Sequence, residues 1–392
     1  MINIKEKVDR KTWKPIQVKN DKRFLSTVKK LESKYPGLQI VDQYEINLEE
    51  LFLLRNPRYR FNPEYAGDFS GFLKKHYKGE PKYNAGVWFL YPWNRTLVHF
   101  LPDKMHQELR TGRNRYLITE EEQYKFYEAR VGILGMSVGS HVAVMIAVTG
   151  GAKHIKLADP DTLSGDNLNR IRGGFYQVGL PKALAVARQI YELNPFAKVE
   201  TYLDGLTKEN MNSFLGSGDN KLDVLIEEMD NPYLKIKVRE LARPKGIPVI
   251  MAADNGDNII VDVERYDLNK KLPILHGILG DMTSVDFKKV HPMDLPRTIA
   301  KMAGANIATI RMLESVTKVG KTIYSWPQLG TAANLCGSVL AYLARELVLK
   351  TKIKSGRYPV NIDTLFNPMF SDKHQLTNMN KKRGDILKMI GL

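Results

Sequence analysis

Cysteine is nearly absent from this chain, and long apolar runs are missing altogether. One cysteine, Cys336, stands among 392 residues. That excludes an internal disulfide and any cysteine-built zinc site, so no zinc is expected. No apolar stretch approaches the roughly 18 residues that span a bilayer, so no membrane association is expected. The opening MINIKEKVDRK is charged and lacks the apolar core of a secretory signal, which points to a cytoplasmic protein. Internal repeats and low-complexity segments are missing too. What remains, 43% apolar and 26% charged residues, is the composition of an ordinary globular protein.

The charge is not evenly spread. The chain carries a formal net +16, and residues 1–34 alone hold 11 Lys/Arg against 4 Asp/Glu, a net +7. Such a segment attracts anions: nucleic acid, phosphates or an acidic polypeptide. No recognised nucleic-acid motif or stacking arrangement of aromatics accompanies it, so the reading leans away from DNA and RNA. An acidic peptide or small protein is the expected partner, with a merely solvated basic helix as the plainer alternative.

Two domains are expected. In residues 1–110, KRFLSTVKKLESKY (22–35) has helical apolar spacing and is ended by Pro36-Gly37. AGVWFLYPW and RTLVHFLP then read as a hairpin around Asn94-Arg95. This is a small α+β unit of a size suited to a peptide-binding domain. Residues 111–392 change texture. Thr119-Glu120-Glu121-Glu122 is a capping box opening a helix. After it, VGILG, KHIKLA, KVETYL, LDVLIEEMD, IPVIMAA and IIVDVE read as strands alternating with helices. Strands alternating with helices predict an α/β fold, a Rossmann-like doubly wound and mostly parallel sheet with ligands at the strand carboxyl ends. Residues 266–330 read as an irregular insertion, and AANLCGSVLAYLARELVL as the closing helix.

The stretch GILGMSVGS, residues 132–140, admits two chemistries. Gly135-Met136-Ser137-Val138-Gly139 fits G-x-S-x-G, the elbow that presents a hydrolase serine. It also fits a thinned nucleotide-binding turn leading into a helix N-terminus, where backbone N–H groups and the helix dipole favour a phosphate. Asp159 ends the next strand, 24 residues after Gly135, about where such folds place the carboxylate that accepts from ribose hydroxyls.

The segment beginning at 159, DPDTLSGDNLNRIRGGFYQVGLPKALAVARQIYELNP, strongly resembles the signature of the ThiF/MoeB adenylyltransferases, relatives of the ubiquitin-activating enzymes. The matching residues are Asp159 and Asp161, then Asp166-Asn167-Leu168-Asn169-Arg170, then Gly179-Leu180-Pro181-Lys182, and later Met229-Asp230-Asn231. Arg110-Thr111-Gly112-Arg113-Asn114-Arg115 resembles the arginine pair before the family's first strand. The resemblance implies ATP and Mg²⁺ as cofactors, an adenylated carboxylate as product, and a homodimer. It implies that Gly135, Ser137 and Gly139 form the phosphate turn, and that Asp159 holds the ribose with Asp161, Asn167 and Asn169 beside it. Arg170 and Lys182 would grip phosphates, Asp230 would hold Mg²⁺, and Arg113 or Arg115 would act on the triphosphate, often from the partner subunit.

Two departures matter. Ser137 stands where the family has glycine, and it reads as a donor to phosphate or as a helix cap. The catalytic cysteine and CxxC zinc site of several relatives are missing, since Cys336 lies inside an apolar helix, where cysteine is usually inert packing. The acyl-adenylate would then pass directly to another nucleophile, as in the microcin- and pantocin-type enzymes that mature ribosomally made peptides. A nucleotide-dependent oxidoreductase and a non-catalytic peptide-binding module are the other classes considered. A hydrolase built on Ser137 with His276 or His291 has no use for the residues from Asp159 to Lys182.

Overall fold

The hairpin expected around Asn94-Arg95 forms, with Arg95 at φ +53° in its turn. A computed structural model describes residues 11–62, 64–280, 295–370 and 372–392. The chain separates into two units: the first runs to Tyr124 and takes in Ala187–Ala197, and the second holds Lys125–Val186 and Lys198–Leu392. Among the described residues, no helix is long and apolar enough to cross a membrane.

The first unit contains β1 (Ile16–Val18), α1 (Phe24–Lys34), β2 (Gln39–Val41), α2 (Tyr44–Arg55), α3 (Ala66–Tyr77), β3 (Val87–Tyr91), β4 (Thr96–Phe100) and α4 (Asp103–Arg110). Its sheet has the order β1-β3-β4-β2, and only β2 runs parallel to its neighbour. Trp88 stacks on His99 with ring centroids 4.1 Å apart and meets Phe24 in a tilted contact at 4.9 Å. His99 is tied to Asp42 and to the Ala85 carbonyl, so a buried polar ring inside an aromatic core is satisfied at both nitrogens.

α5 (Glu120–Glu128) starts as expected: the Glu122 amide donates to Thr119 Oγ1, and the Thr119 amide donates to Glu122 Oε2. The chain then lays down β5 (Arg130–Leu134), α6 (Val138–Val148), β6 (His154–Ala158), α7 (Lys182–Leu193), β7 (Lys198–Tyr202), α8 (Met211–Leu215), β8 (Val224–Glu227), α9 (Pro232–Lys245), β9 (Val249–Asn255) and β10 (Asn258–Glu264), all in the second unit except the part of α7 from Ala187 onward. After these come α10 (Leu295–Met302), α11 (Ile310–Val316), α12 (Gly330–Val348), β11 (Gly356–Val360), α13 (Asp363–Phe366) and α14 (Lys373–Met389).

The sheet order is β11-β10-β9-β8-β5-β6-β7. The five strands from β9 to β7 are parallel, and β10 and β11 join antiparallel. Central strands such as β8 are buried at every residue, as a parallel sheet covered on both faces requires. From β5 the chain proceeds outward through β6 and β7, then returns to the other side of β5 with β8 and β9. The strand order therefore reverses between β5 and β8, the position where doubly wound sheets open a ligand crevice. α6 is almost wholly buried, with Ser140 and His141 its polar members. α12 lies close against it, because a Cβ on Gly337 would fall 2.6 Å from His141 Cβ.

α12 is not the closing element. β11 extends the sheet and α14 follows. Neither has a strong sequence pattern: β11 is a short edge strand with Pro359 inside it, which an edge tolerates, and α14 is mostly polar.

The second unit is pinned by a buried charge cluster. Arg239 on α9 is fully buried; its Nη1 donates to Glu227 Oε2 and its Nε to Glu264 Oε2, both at 2.6 Å. Lys235 Nζ reaches both Glu227 oxygens at 3.0 and 3.1 Å. Burial acts to raise the Glu227 carboxyl, but Lys235 and Arg239 outweigh it and hold it below the usual range. Tyr266 and the Leu275 amide complete Glu264. Arg239→Met would leave two buried carboxylates short of their cation, so it should cost about 3–5 kcal/mol. A denaturant midpoint close to the parent's would show that the cluster carries no such constraint.

Candidate functional site

The site grows from the carboxyl ends of β5, β6 and β8. Gly135 directly follows β5, at φ +82°. A Cβ there would stand 2.3 Å from the Glu228 carbonyl oxygen, so both backbone sign and space require glycine. The next amide, Met136 N, donates to Asp159 Oδ2 at 2.5 Å, and Asp161 N donates to Asp159 Oδ1 at 2.8 Å. Asp159 is thus fixed by two backbone donors and buried. Burial raises its carboxyl, against the Met136 amide and the Lys182 charge. Lys182 opens α7 with its ammonium 2.9 Å from Asp161 Oδ2. Gly139 sits in the first turn of α6, where a Cβ would lie 3.0 Å from Ile133 Cγ2.

The loop after β6 is held equally firmly. Asn167 is buried, and its Oδ1 accepts from the Ser164 amide at 3.4 Å. Asn169 Nδ2 donates to the Gln328 carbonyl at 2.9 Å. Arg170 Nη1 donates to the Asp166 carbonyl and to Asn169 Oδ1, while the Arg170 carbonyl accepts from His141 Nε2 at 2.5 Å. One edge of the guanidinium is therefore anchored; its Nε is buried with no hydrogen-bond partner.

A cavity of about 380 Å³ opens at the strand-order reversal. Ser137, Arg170, Glu228, Asp230, Lys235 and Asp254 line its polar side. The other side is apolar and comes from α10, α11 and the chain between them. Three polar atoms of the lining residues are buried without a partner: Ser137 Oγ, Arg170 Nε and Asp254 Oδ2. Buried polar groups are normally paired, so three orphans around one cavity mark a place that a polar ligand completes. Of the two uses expected for Ser137, capping is absent: the residue stands at the N-cap of α6 without a side-chain capping bond.

The sequence-selected residues Gly135, Ser137, Gly139, Asp159, Asp161, Asn167, Asn169, Arg170, Lys182 and Asp230 all fall in the second unit. Ser137, Arg170 and Asp230 line the cavity. The Asp159–Asp161–Lys182 group connects to it through the turn, since Met136 donates to Asp159 and Ser137 follows. Arg113 belongs to the first unit, in a 3-10 turn over Gly112–Asn114. Arg115, in the same unit, pairs with Glu108 at 3.1 Å. His276 pairs with Asp262 at 3.2 Å and is not in the cavity lining; His291 lies outside the described residues. Among the described residues, no three His, Cys, Asp or Glu side chains assemble into a metal-holding group.

Glu228, Lys235 and Asp254 were missed from sequence. The available signal was their position: Glu228 directly follows β8 and Asp254 sits near the carboxyl end of β9, the places where doubly wound sheets put chemistry. Burial pushes the Glu228 carboxyl well above its usual range, against Lys235 and the Ala252 amide. Burial likewise raises Asp254 to about 6, against the Cys336 thiol, Gln328 and Arg170, with Asp230 adding to the rise. The Cys336 thiol donates to Asp254 Oδ1 at 3.6 Å, and burial with the neighbouring carboxylates pushes it far up as well.

The ThiF family model matches residues 111–379. The uncharacterized protein MT1398 of Mycobacterium tuberculosis is 33% identical over 312 residues, 79% of this chain, and the chain spans 43% of that protein's length. The sulfur carrier protein adenylyltransferase of Thermus thermophilus is 26% identical, over 61% of this chain and 84% of its own. The crystal structure of Escherichia coli MccB with MccA aligns at a TM-score of 0.41 and 16% identity, over 66% of this chain and 69% of that one.

Asp254 gives the site a pH signature. Its folded-state value, about 6, lies above the roughly 3.9 of an unfolded aspartate. Its contribution to stability is therefore complete below about pH 4 and is lost as pH rises through about 6. Asp254→Asn has no such titration. Relative to the parent, its unfolding midpoint should improve from about pH 4 to about 6 and then level off; a difference constant over that window would refute the assignment.

Proposed function

Because the chain belongs to the ThiF family, we propose that it activates a carboxylate on a peptide or small protein as the acyl-adenylate, consuming ATP and releasing pyrophosphate. The carrying observation is the set of three unpartnered buried atoms, Ser137 Oγ, Arg170 Nε and Asp254 Oδ2, around a cavity beside a glycine turn and a helix N-terminus. Ser137 and Arg170 are donors suited to phosphate oxygens. Asp159, fixed by two amides, is the acceptor for ribose hydroxyls, with Asp161, Asn167 and Asn169 shaping the loop around it. Lys182, held by Asp161, keeps two further N–H donors for phosphate. Gly135 and Gly139 let the turn approach a phosphate closely.

Asp230 at the cavity rim suits Mg²⁺, which takes one or two carboxylates and completes its shell with water and substrate phosphates. Bound there, the ion would neutralise phosphate charge. The protein's remaining work is positioning: the attacking carboxylate must meet the α-phosphorus in line, with Arg170 and Lys182 countering charge on the oxygens. Arg113, or Arg115, acts on the triphosphate from a homodimer partner in this reading.

The acyl group then passes directly to its final nucleophile, without a thioester. Support comes from Cys336, which is buried, protonated and hydrogen-bonded, the opposite of a thiolate nucleophile. The reading extends to the branch that matures ribosomally made peptides. There the basic N-terminal region would steer an acidic precursor electrostatically, in the cytoplasm.

Asp230→Ala should lower ATP-dependent AMP and pyrophosphate formation by about 100-fold or more, with the unfolding midpoint near the parent's. A folded variant forming AMP at the parental rate would sink the assignment. Cys336→Ser should keep both AMP formation and product formation, because serine can still donate to Asp254. Mass-spectrometric capture of an acyl thioester on Cys336 would overturn direct transfer.

A further inference from the structure

Resting on the adenylation reading, with the carboxylate at a polypeptide's terminal residue, we infer that this residue has an apolar side chain, which the cavity receives. The cavity has two unlike walls. One is formed by Met302, Ala305, Met312, Leu313 and Val316, from α10, α11 and the short turn between them, and this wall carries no charged lining residue. The facing wall is made of strand ends and bears Ser137, Arg170, Glu228, Asp230 and Asp254.

The polar wall disposes of an anionic side chain. Lys235 lines the cavity, but its ammonium is committed to both oxygens of Glu227 at 3.0 and 3.1 Å. Asp230 and Asp254 would repel an incoming carboxylate, and burying an unpaired charge beside them is costly. An apolar side chain meets no such cost and removes the Met312 and Val316 surface from water. Asp254 Oδ2 is buried and takes no hydrogen bond, so it asks for one N–H from the ligand. The backbone amide of a terminal residue supplies that donor. Its carboxylate then points to Ser137 and Arg170, where adenylation takes place, and its side chain points to the apolar wall. A volume of about 380 Å³ is at the small end of ligand pockets, enough for one residue rather than a folded tail.

The test uses stable acyl-adenylate mimics, N-acetyl-aminoacyl sulfamoyl-adenosines, titrated into the full chain by calorimetry alongside AMP. The N-acetyl-leucyl compound should bind roughly tenfold or more tightly than the glycyl one, and the aspartyl compound should bind no better than glycyl. Met312→Asp should erase the leucyl advantage and Met312→Leu should keep it, with AMP affinity reporting that both variants are folded. Replacing the leucyl N–H by an ester oxygen should weaken binding to the parent several-fold and leave binding to Asp254→Ala, which has no side-chain acceptor, nearly unchanged. Glycyl, lysyl or aspartyl mimics binding as tightly as leucyl, while AMP binds normally, would overturn this inference alone. No binding of AMP or ATP at all would instead remove the adenylation reading beneath it.

Discussion

Arg239 is a full positive charge placed where water does not reach, and the second unit is organised around keeping it neutralised. Its two partners, Glu227 and Glu264, terminate β8 and β10, so one guanidinium ties α9 to two strands. The constraint is geometric as much as energetic. A buried bridge of this kind adds little net stability over an apolar replacement, yet it permits only one arrangement of its members. Glu227 also accepts from the Met229 amide at 2.8 Å, and Asn231 caps α9 by accepting from the Leu234 amide. The three residues between Glu227 and the N-cap Asn231, namely Glu228, Met229 and Asp230, are thus pinned at both ends.

That pinned turn meets the glycine turn after β5. The Glu228 carbonyl occupies the space where a Cβ on Gly135 would be, so the two strand ends at the sheet's reversal point are fitted against each other. The floor of the cavity is consequently rigid backbone, and its polar side chains project from fixed points. The opposite wall has a different character. It is built from short helices and apolar contacts, with Ala305, Ala308, Leu313 and Ile386 at its centre. In the adenylation reading, rigid donors on one face and an apolar surface on the other would let the chemistry stay constant while the accepted side chain is adjusted.

Much of this was legible in the sequence. The central strands VGILG, KHIKLA and LDVLIEEMD announce themselves because both faces of the sheet are covered and their apolar runs are unbroken. The Thr119 capping box and the start of α7 at Lys182 are local signals, set by side chains a few residues apart. The ordered series from Asp159 to Asp230 identified the family for the same reason. The segments that escaped are those whose structure is decided at a distance. β11 exists because β10 offers it an edge, and its own residues, with Pro359 among them, argue weakly for a strand. Glu228, Lys235 and Asp254 become a site only when β8, α9 and β9 are side by side.

The single cysteine of the chain gives this second unit a built-in clock. Cys336 faces Asp254 from inside α12, buried, with its thiol pushed far from ionisation. A thiol in that state reacts with alkylating reagents only when α12 lifts away and the group regains an ordinary pKa. At low reagent concentration the modification rate is then the opening equilibrium multiplied by the intrinsic thiolate rate. A single mass increment per molecule, followed over time, therefore measures what fraction of the time the helix packed on α6 is open, without introducing any label site that the native sequence does not already contain.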